Sequence, residues 1–480
     1  MTRDAATKNS RARATPGAKS DRLSGFALLR GVLTAWLARP LTSFHLVLAV
    51  FGLLTVFGLV MVLSASAVDS MDQYGSSYAI FYRQLLYCGV GLVLFLVVLR
   101  IPPKTFRRLS PLMLAVCLLL LALVLVVGHE AGGARSWFRL GPLPSFQPVE
   151  VAKVAFALWG AHVLVVKRAL LSQWRHLLVP VIPVALLIFT LIMMQPDLGS
   201  TITVGIVMLA LLWFAGAPLR LFAVIVLAGV TGALVLALSA PYRLDRMLSF
   251  FDPAGDPLNT GYHARQALFA LADGGMLGKG LGQGSAKFSY LPNVHNDFIF
   301  AVVGEELGLV GCALVIGLFA TLAYVGLRIA ARNTDPWNRL VAATLTTWLV
   351  AQAAVNIGYV VGLLPVTGLQ LPLMSSGGTS LIAVMIVFGM LANFARHEPE
   401  AVAALRSQGV NRRRRWFHLP LPDAYRPRPR RRPARPATQP RRPGRPTGTL
   451  RTTGQAAARG RAGRAPSART GRRRRPRRAP

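Results

Sequence analysis

The residue best placed for acid–base chemistry is Asp297. It stands at the mouth of a long apolar run, in Leu291-Pro292-Asn293-Val294-His295-Asn296-Asp297-Phe298-Ile299-Phe300. A carboxylate at a membrane–water boundary is partly desolvated, which raises its pKa and makes it a better proton acceptor near neutral pH. Capping of the following helix is the alternative role. Glu305 and Glu306 lie deeper in the same run, roughly 12–14 Å further along at 1.5 Å per residue. Ionisable groups at that depth are costly and usually functional. Glu305 is turned about 80° from Asp297, whereas Glu306 faces the opposite side. Only Glu305 is therefore placed to share the Asp297 face, with hydrogen bonding inside a bundle as the alternative for both. Gly304, Gly308 and Gly311 suit close helix packing.

Three further motifs could meet a charged substrate. In Arg135-Ser136-Trp137-Phe138-Arg139 and Gln147-Pro148-Val149-Glu150-Val151-Ala152-Lys153, Pro148 suits a helix start, and Glu150 and Lys153 are neighbours on one helical face. As a pair they cost far less in a membrane than either alone. They form a structural pair, or Lys153 and Arg135 hold an anionic group such as a phosphate. Gln195-Pro196-Asp197-Leu198-Gly199-Ser200 makes a tight polar turn in which Asp197 or Ser200 caps the next helix. Ser375-Ser376-Gly377-Gly378-Thr379-Ser380 opens the last apolar run. Its amide groups suit an anion, and its residues are also ordinary caps and turns. No set of residues has the spacing of a metal site, and His295 and His263 are isolated. There is neither a P-loop nor a dinucleotide fingerprint, so a transferase here need not take its donor as a nucleotide-sugar.

These groups need a membrane scaffold to position them. The chain has 480 residues, is 53% hydrophobic and 15% charged, and carries a formal charge of +36. Ten segments are long enough to cross a bilayer as helices: roughly 43–66, 78–99, 110–127, 149–166, 177–195, 200–216, 219–240, 298–326, 340–362 and 380–396. The expected fold is all-α and polytopic. Basic residues crowd the inner loops if the N-terminus is cytoplasmic, as in Arg100, Lys104, Arg107 and Arg108 or Arg328, Arg332 and Arg339. The positive-inside rule then puts both termini in the cytoplasm and the motifs above on the outside. No cleavable signal peptide is expected, since the first apolar run follows about forty residues in. Cys88, Cys117 and Cys312 sit inside apolar runs and read as small buried hydrophobes.

The expected division is a cytoplasmic tail over 1–42, a ten-helix catalytic domain over 43–397 with a large outer loop over 241–297, and a disordered tail over 398–480. From Asn411 onward that tail holds 24 arginines against a single acid, Asp423. Such a composition cannot build a core. It suits anionic lipid or an acidic cytoplasmic division protein, with a solvated spacer as the alternative. Nothing points to a nucleic-acid partner.

The Asp297 segment through Gly308, Gln147-Pro148-Val149-Glu150, the Gln195–Ser200 turn, Gly362-Leu363-Leu364-Pro365-Val366-Thr367-Gly368 and Ser376–Ser380 together resemble the SEDS family (FtsW/RodA/SpoVE) of peptidoglycan glycosyltransferases. The resemblance covers about 43–397. Val303-Gly304-Glu305-Glu306-Leu307-Gly308 and the basic tail are more like the actinobacterial division branch than the elongation branch. Val149 stands where the family often has Ser, and Asn296 where it often has Thr.

The resemblance implies polymerisation of lipid II on the outer face. It makes Asp297 the catalytic residue and puts Glu150 and Lys153 near a central cavity. The candidate substrate-binding set is Arg135, Glu150, Lys153, Gln195, Asp197, Arg243, Arg246, His295, Glu305, Ser375, Ser376, Gly377 and Gly378. The leaving pyrophosphate would be held by these cations or by a divalent cation, Mg2+ or Mn2+. A class B penicillin-binding transpeptidase is the implied partner. A lipid II flippase and an elongation polymerase are the competing readings.

Overall fold

In the computed structural model the described residues are 31, 35, 37–131, 134–139, 145–170, 174–238, 260–285, 296–407, 419–423 and 425. Arg243, Arg246, His295, most of the 241–297 loop and nearly all of both tails lie outside them.

Among the described residues, ten apolar helices carry the fold: α1 (Thr42–Tyr74), α2 (Ala79–Arg100), α3 (Pro103–Val127), α4 (Pro148–Val166), α5 (Trp174–Met193), α6 (Leu198–Phe214), α7 (Leu219–Leu238) and, after the amphipathic α8 (Thr260–Gly274), α9 (Ile299–Arg332), α10 (Pro336–Val360) and α11 (Gly378–Arg396). A short α12 (Pro399–Ser407) follows. Seven of these are long and apolar enough to span a bilayer, and α5, α6 and α7 contain the shorter apolar stretches. Prolines at the starts of α3, α4 and α10 are where a missing N–H costs nothing. The loop after α3 adds an element the all-helical expectation lacked, an antiparallel hairpin of β1 (His129–Ala131) and β2 (Ala134–Trp137).

Which helices lie inside is set by which faces lack lipid. The apolar stretch of α11 is 78% buried and those of α4 and α10 are 67% buried, against 28% for α3. On α3 the exposed Leu112, Leu119 and Val126 recur every seven residues, a single stripe facing lipid. The inner helices pack Trp337, Trp348, Phe156, Phe388 and Phe394 out of contact with the surroundings. Among these buried rings, Trp337 Nε1 donates to the Leu158 carbonyl at 3.2 Å.

Helix α9 is broken at Gly308, whose φ of 65° and ψ of −161° suit glycine alone. In lipid the freed backbone groups must find partners inside the protein. The segment after α8 supplies them. Leu309 N–H donates to Gly275 O at 3.0 Å and Val310 N–H to Met276 O at 3.3 Å. In return Lys279 N–H and Gly280 N–H donate to the Glu305 and Glu306 carbonyls, each at 3.0 Å. A side chain at Gly274, Gly278 or Gly308 would collide with the facing backbone.

At the other end, Arg332 pairs with Glu398 at 3.2 Å and with Glu400, fastening α12. The folded part therefore reaches Ser407, ten residues past the expected boundary at 397. Arg396 donates to the Pro420 carbonyl at 2.7 Å and Lys104 pairs with Asp423 at 3.1 Å. Desolvation pushes the Glu398 carboxyl up, and the Lys104 ammonium holds the Asp423 carboxyl down.

Candidate functional site

A polar cleft of about 130 Å3 opens among the ends of α4, α6, α10 and α11. Pro148 starts α4, so Glu150 falls in its first turn and Lys153 one turn deeper on the same face. Lys153 Nζ lies 2.8 Å from Glu150 Oε1 and 5.0 Å from the centroid of the Trp348 ring. Both side chains are almost wholly buried, and Glu150 Oε2 has no hydrogen-bond partner among the described residues. Opposite them, Asp197 caps α6: its Oδ1 accepts from Ser200 N at 2.9 Å and its Oδ2 from Ser200 Oγ at 2.6 Å. The same carboxylate accepts from Gln147 Nε2 at 3.2 Å. The capping role expected for Asp197 is thus filled, and the residue also lines the cleft with Glu150 and Lys153.

Asp297 is not one of the cleft's lining residues but neighbours one of them, Gly368. The N-cap position of α9 is Phe298, with the helix beginning at Ile299. Asp297 lies in the turn before the helix, half-buried. A Cβ at Gly368, a residue of the cleft wall, would stand 3.7 Å from Asp297 Oδ2. The backbone there is clamped by α10. Asn356 Nδ2 donates to the Asp297 carbonyl at 2.9 Å and to the Leu369 carbonyl at 2.6 Å. The Tyr359 hydroxyl lies 2.8 Å from both carbonyl oxygens. Two buried side chains therefore fix the Asp297 turn against the loop that forms the cleft wall.

Other expected site residues lie elsewhere. The Glu305 carboxylate is engaged by the loop after α8: its Oε1 accepts from Ser285 N at 2.6 Å and Ser285 Oγ at 2.8 Å, with Lys279 Nζ at 3.5 Å. The break at Gly308 lets that loop reach Glu305, whose charge fastens it. Lys279 is itself held above the usual ammonium range, chiefly by its hydrogen bond to Asp273. Glu306 accepts from Ser64 Oγ at 2.5 Å, tying α9 to α1.

Gln195 is buried and donates to the Leu121 carbonyl at 3.3 Å, bracing α3. Arg135 is exposed on β2, and the cleft wall takes Trp137 instead. Ser375, Ser376, Gly377 and Gly378 are not in the cleft wall, where Ser380 is. Ser375 Oγ accepts from Leu371 N at 2.8 Å. Gly377 and Gly378 are close-packing positions, where a Cβ would strike Gln370 and Tyr87.

Gln352 and Gln370 line the cleft as well and were not anticipated. Gln352 Nε2 donates to the Gln370 carbonyl at 2.8 Å, and its Oε1 accepts from Trp348 Nε1 at 2.9 Å. The sequence carried a signal for them: Gln352 and Asn356 are amides one helical turn apart inside an apolar span.

A model of the FtsW/RodA/SpoVE family, described as cell cycle protein, matches residues 44–400. The probable peptidoglycan glycosyltransferase FtsW of Mycobacterium tuberculosis is 53% identical over 405 residues, 84% of this chain and 77% of that protein. Stage V sporulation protein E of Bacillus subtilis is 39% identical over 360 residues, 74% of this chain and 98% of that protein. Among solved structures, a chain of a peptidoglycan synthase complex superposes with a TM-score of 0.58 at 32% identity, covering 71% of this chain and 96% of that one. The rod shape determining protein RodA of Thermus thermophilus superposes with a TM-score of 0.55 at 30% identity, covering 76% and 99%. With ten apolar helices in place and a family match across nearly all of them, the chain belongs to the FtsW/RodA/SpoVE family.

Proposed function

We propose that this chain is a multi-pass peptidoglycan glycosyltransferase of the division septum, with both termini cytoplasmic and the cleft on the outer face. It polymerises lipid II, with Asp297 as general base. The acceptor's 4-hydroxyl gives its proton to the Asp297 carboxylate as its oxygen attacks the anomeric carbon of a second lipid-linked chain. The bond to pyrophosphate breaks, and undecaprenyl pyrophosphate leaves with the electron pair. Stabilising that developing charge should be a large part of the acceleration. Lys153 is the buried cation lining the cleft, with Arg135 on the neighbouring hairpin and Arg243 and Arg246 as further candidates. A divalent cation, Mg2+ or Mn2+, would have the cleft carboxylates of Glu150 and Asp197 to hold it and would offset the charge of the leaving pyrophosphate. Among the described residues no three acidic, His or Cys side chains gather to cage one.

The observation that carries this reading is that the Asp297 carboxylate lies beside Gly368, a wall residue of the cleft that holds the Glu150–Lys153 pair. The relationship to FtsW proteins favours division over elongation. The likeness to a chain of a peptidoglycan synthase complex that coordinates polymerization and crosslinking supports a class B penicillin-binding transpeptidase as partner.

The test uses purified full chain in proteoliposomes with labelled lipid II, assayed in parallel for glycan strands and for lipid translocation. Strand formation is expected. Translocation with no strands, under conditions where the transpeptidase partner is also supplied, would establish a flippase instead.

A further inference from the structure

At the end of the bundle opposite the cleft, the last turn of α4, the end of α6, the closing turns of α9 and the opening turns of α10 enclose a cavity of about 500 Å3. That size falls within the usual range for small-molecule sites. Its walls are mostly apolar, including Leu164, Phe214, Leu327, Ala330 and Leu340. Its two charged lining residues are Arg168 and Arg339. Both are exposed, and neither has a carboxylate within ion-pair distance among the described residues.

The two arginines of α9 are engaged. Arg332 is taken by Glu398 and Glu400, and Arg328 donates to the Leu37 carbonyl. Asp335, one turn before Arg339, is turned to its own helix start, where it accepts from Trp337 N at 2.9 Å. Two exposed guanidinium groups free of carboxylates thus stand together at the mouth of an apolar cavity, open to an anion.

We propose that this cavity binds an anionic glycerophospholipid of the leaflet at the basic end of the bundle. Guanidinium groups fit phosphate oxygens in a two-pronged geometry. Basic pockets between membrane helices are a recurrent way of holding anionic headgroups. The acyl chains lie along the apolar wall, where Phe214 and Leu327 are 40% and 42% exposed to the surroundings. That wall is what separates a lipid from a free phosphate, which would gain nothing from it. The site is distinct from the cleft and does not depend on what the cleft catalyses.

The experiment is native mass spectrometry of the full chain, delipidated in detergent and titrated with phosphatidylglycerol, phosphatidylcholine of the same chains, or glycerol 3-phosphate. One tightly retained phosphatidylglycerol is expected on the wild type. The double variant Arg168→Gln/Arg339→Gln should weaken it roughly thirty-fold, at about five-fold per cation. A second variant, Ala331→Trp, fills the mouth from an exposed lining position without changing charge, and should also abolish retention. The basic tail is present in every protein compared and cancels. Equal retention of phosphatidylcholine, retention of glycerol 3-phosphate alone, or undiminished phosphatidylglycerol in both variants would overturn the proposal.

Discussion

The Glu150–Lys153 pair can be made to reveal what it is for. Substituting Glu150→Gln leaves the Lys153 ammonium buried without its counter-ion, and side-chain exposure of 1% leaves water little access to it. Breaking a buried ion pair from one side costs about 3–5 kcal/mol. The Trp348 face at 5.0 Å returns up to about 2 kcal/mol of that by cation–π attraction. The single variant should therefore lose about 1–3 kcal/mol. Replacing both residues with apolar ones of similar volume, Glu150→Leu/Lys153→Met, removes the desolvation penalty altogether and should be neutral or stabilising. If the pair serves only to hold α4, the double variant recovers stability and lipid II polymerisation together. If Lys153 meets the pyrophosphate, stability returns and activity stays down, because the cation lining the cleft is gone. Thermal unfolding in detergent and a strand-length gel read the two properties separately. Full polymerisation by a stable double variant would refute the assignment of Lys153 to substrate.

Tyr359→Phe should cost about 1 kcal/mol of stability, since Asn356 still donates to both carbonyls. The same change should lower the turnover rate more than it raises KM, as expected if the clamp positions Asp297. Gly308→Ala places a Cβ where φ is 65° and against the backbone of Met276 and Gly278. It should destabilise by about 1–3 kcal/mol or more and increase proteolytic cutting in 275–285. Ser285→Ala removes both the hydroxyl partner of Glu305 and one tie on that loop. It should loosen the loop in hydrogen exchange while leaving lipid II binding intact, an outcome that would fail if Glu305 contacted substrate.

Membrane helices are legible in a sequence because lipid permits so few alternatives. All ten apolar segments are helical, although α1 runs on to Tyr74 and α9 to Arg332. Charge at Glu150 and Lys153 marked the cleft for the same reason: such residues are too costly inside a bilayer to be incidental. Rotation about the helix does not decide what Glu305 touches: the break at Gly308, one turn further on, admits a loop from α8 whose Ser285 and Lys279 take its carboxylate. Nothing local predicts that; it depends on Gly275–Gly280 reaching the break. The Ser375–Gly378 run misled differently. Its small residues are there because Gln370 and Tyr87 need the room, a demand set by neighbours distant in sequence. Gln352 was overlooked because a neutral amide draws less notice than a charge, though in an apolar span it carries similar information.

The most direct measurement is the rate of lipid II polymerisation by purified Asp297→Asn chain, with substrate binding measured on the same preparation. Removing a general base while keeping the side chain's shape should lower the rate by about 100- to 10,000-fold and leave binding nearly unchanged. A variant that binds lipid II and builds strands at the wild-type rate would contradict the central claim, and the proton acceptor would have to be sought elsewhere in the cleft.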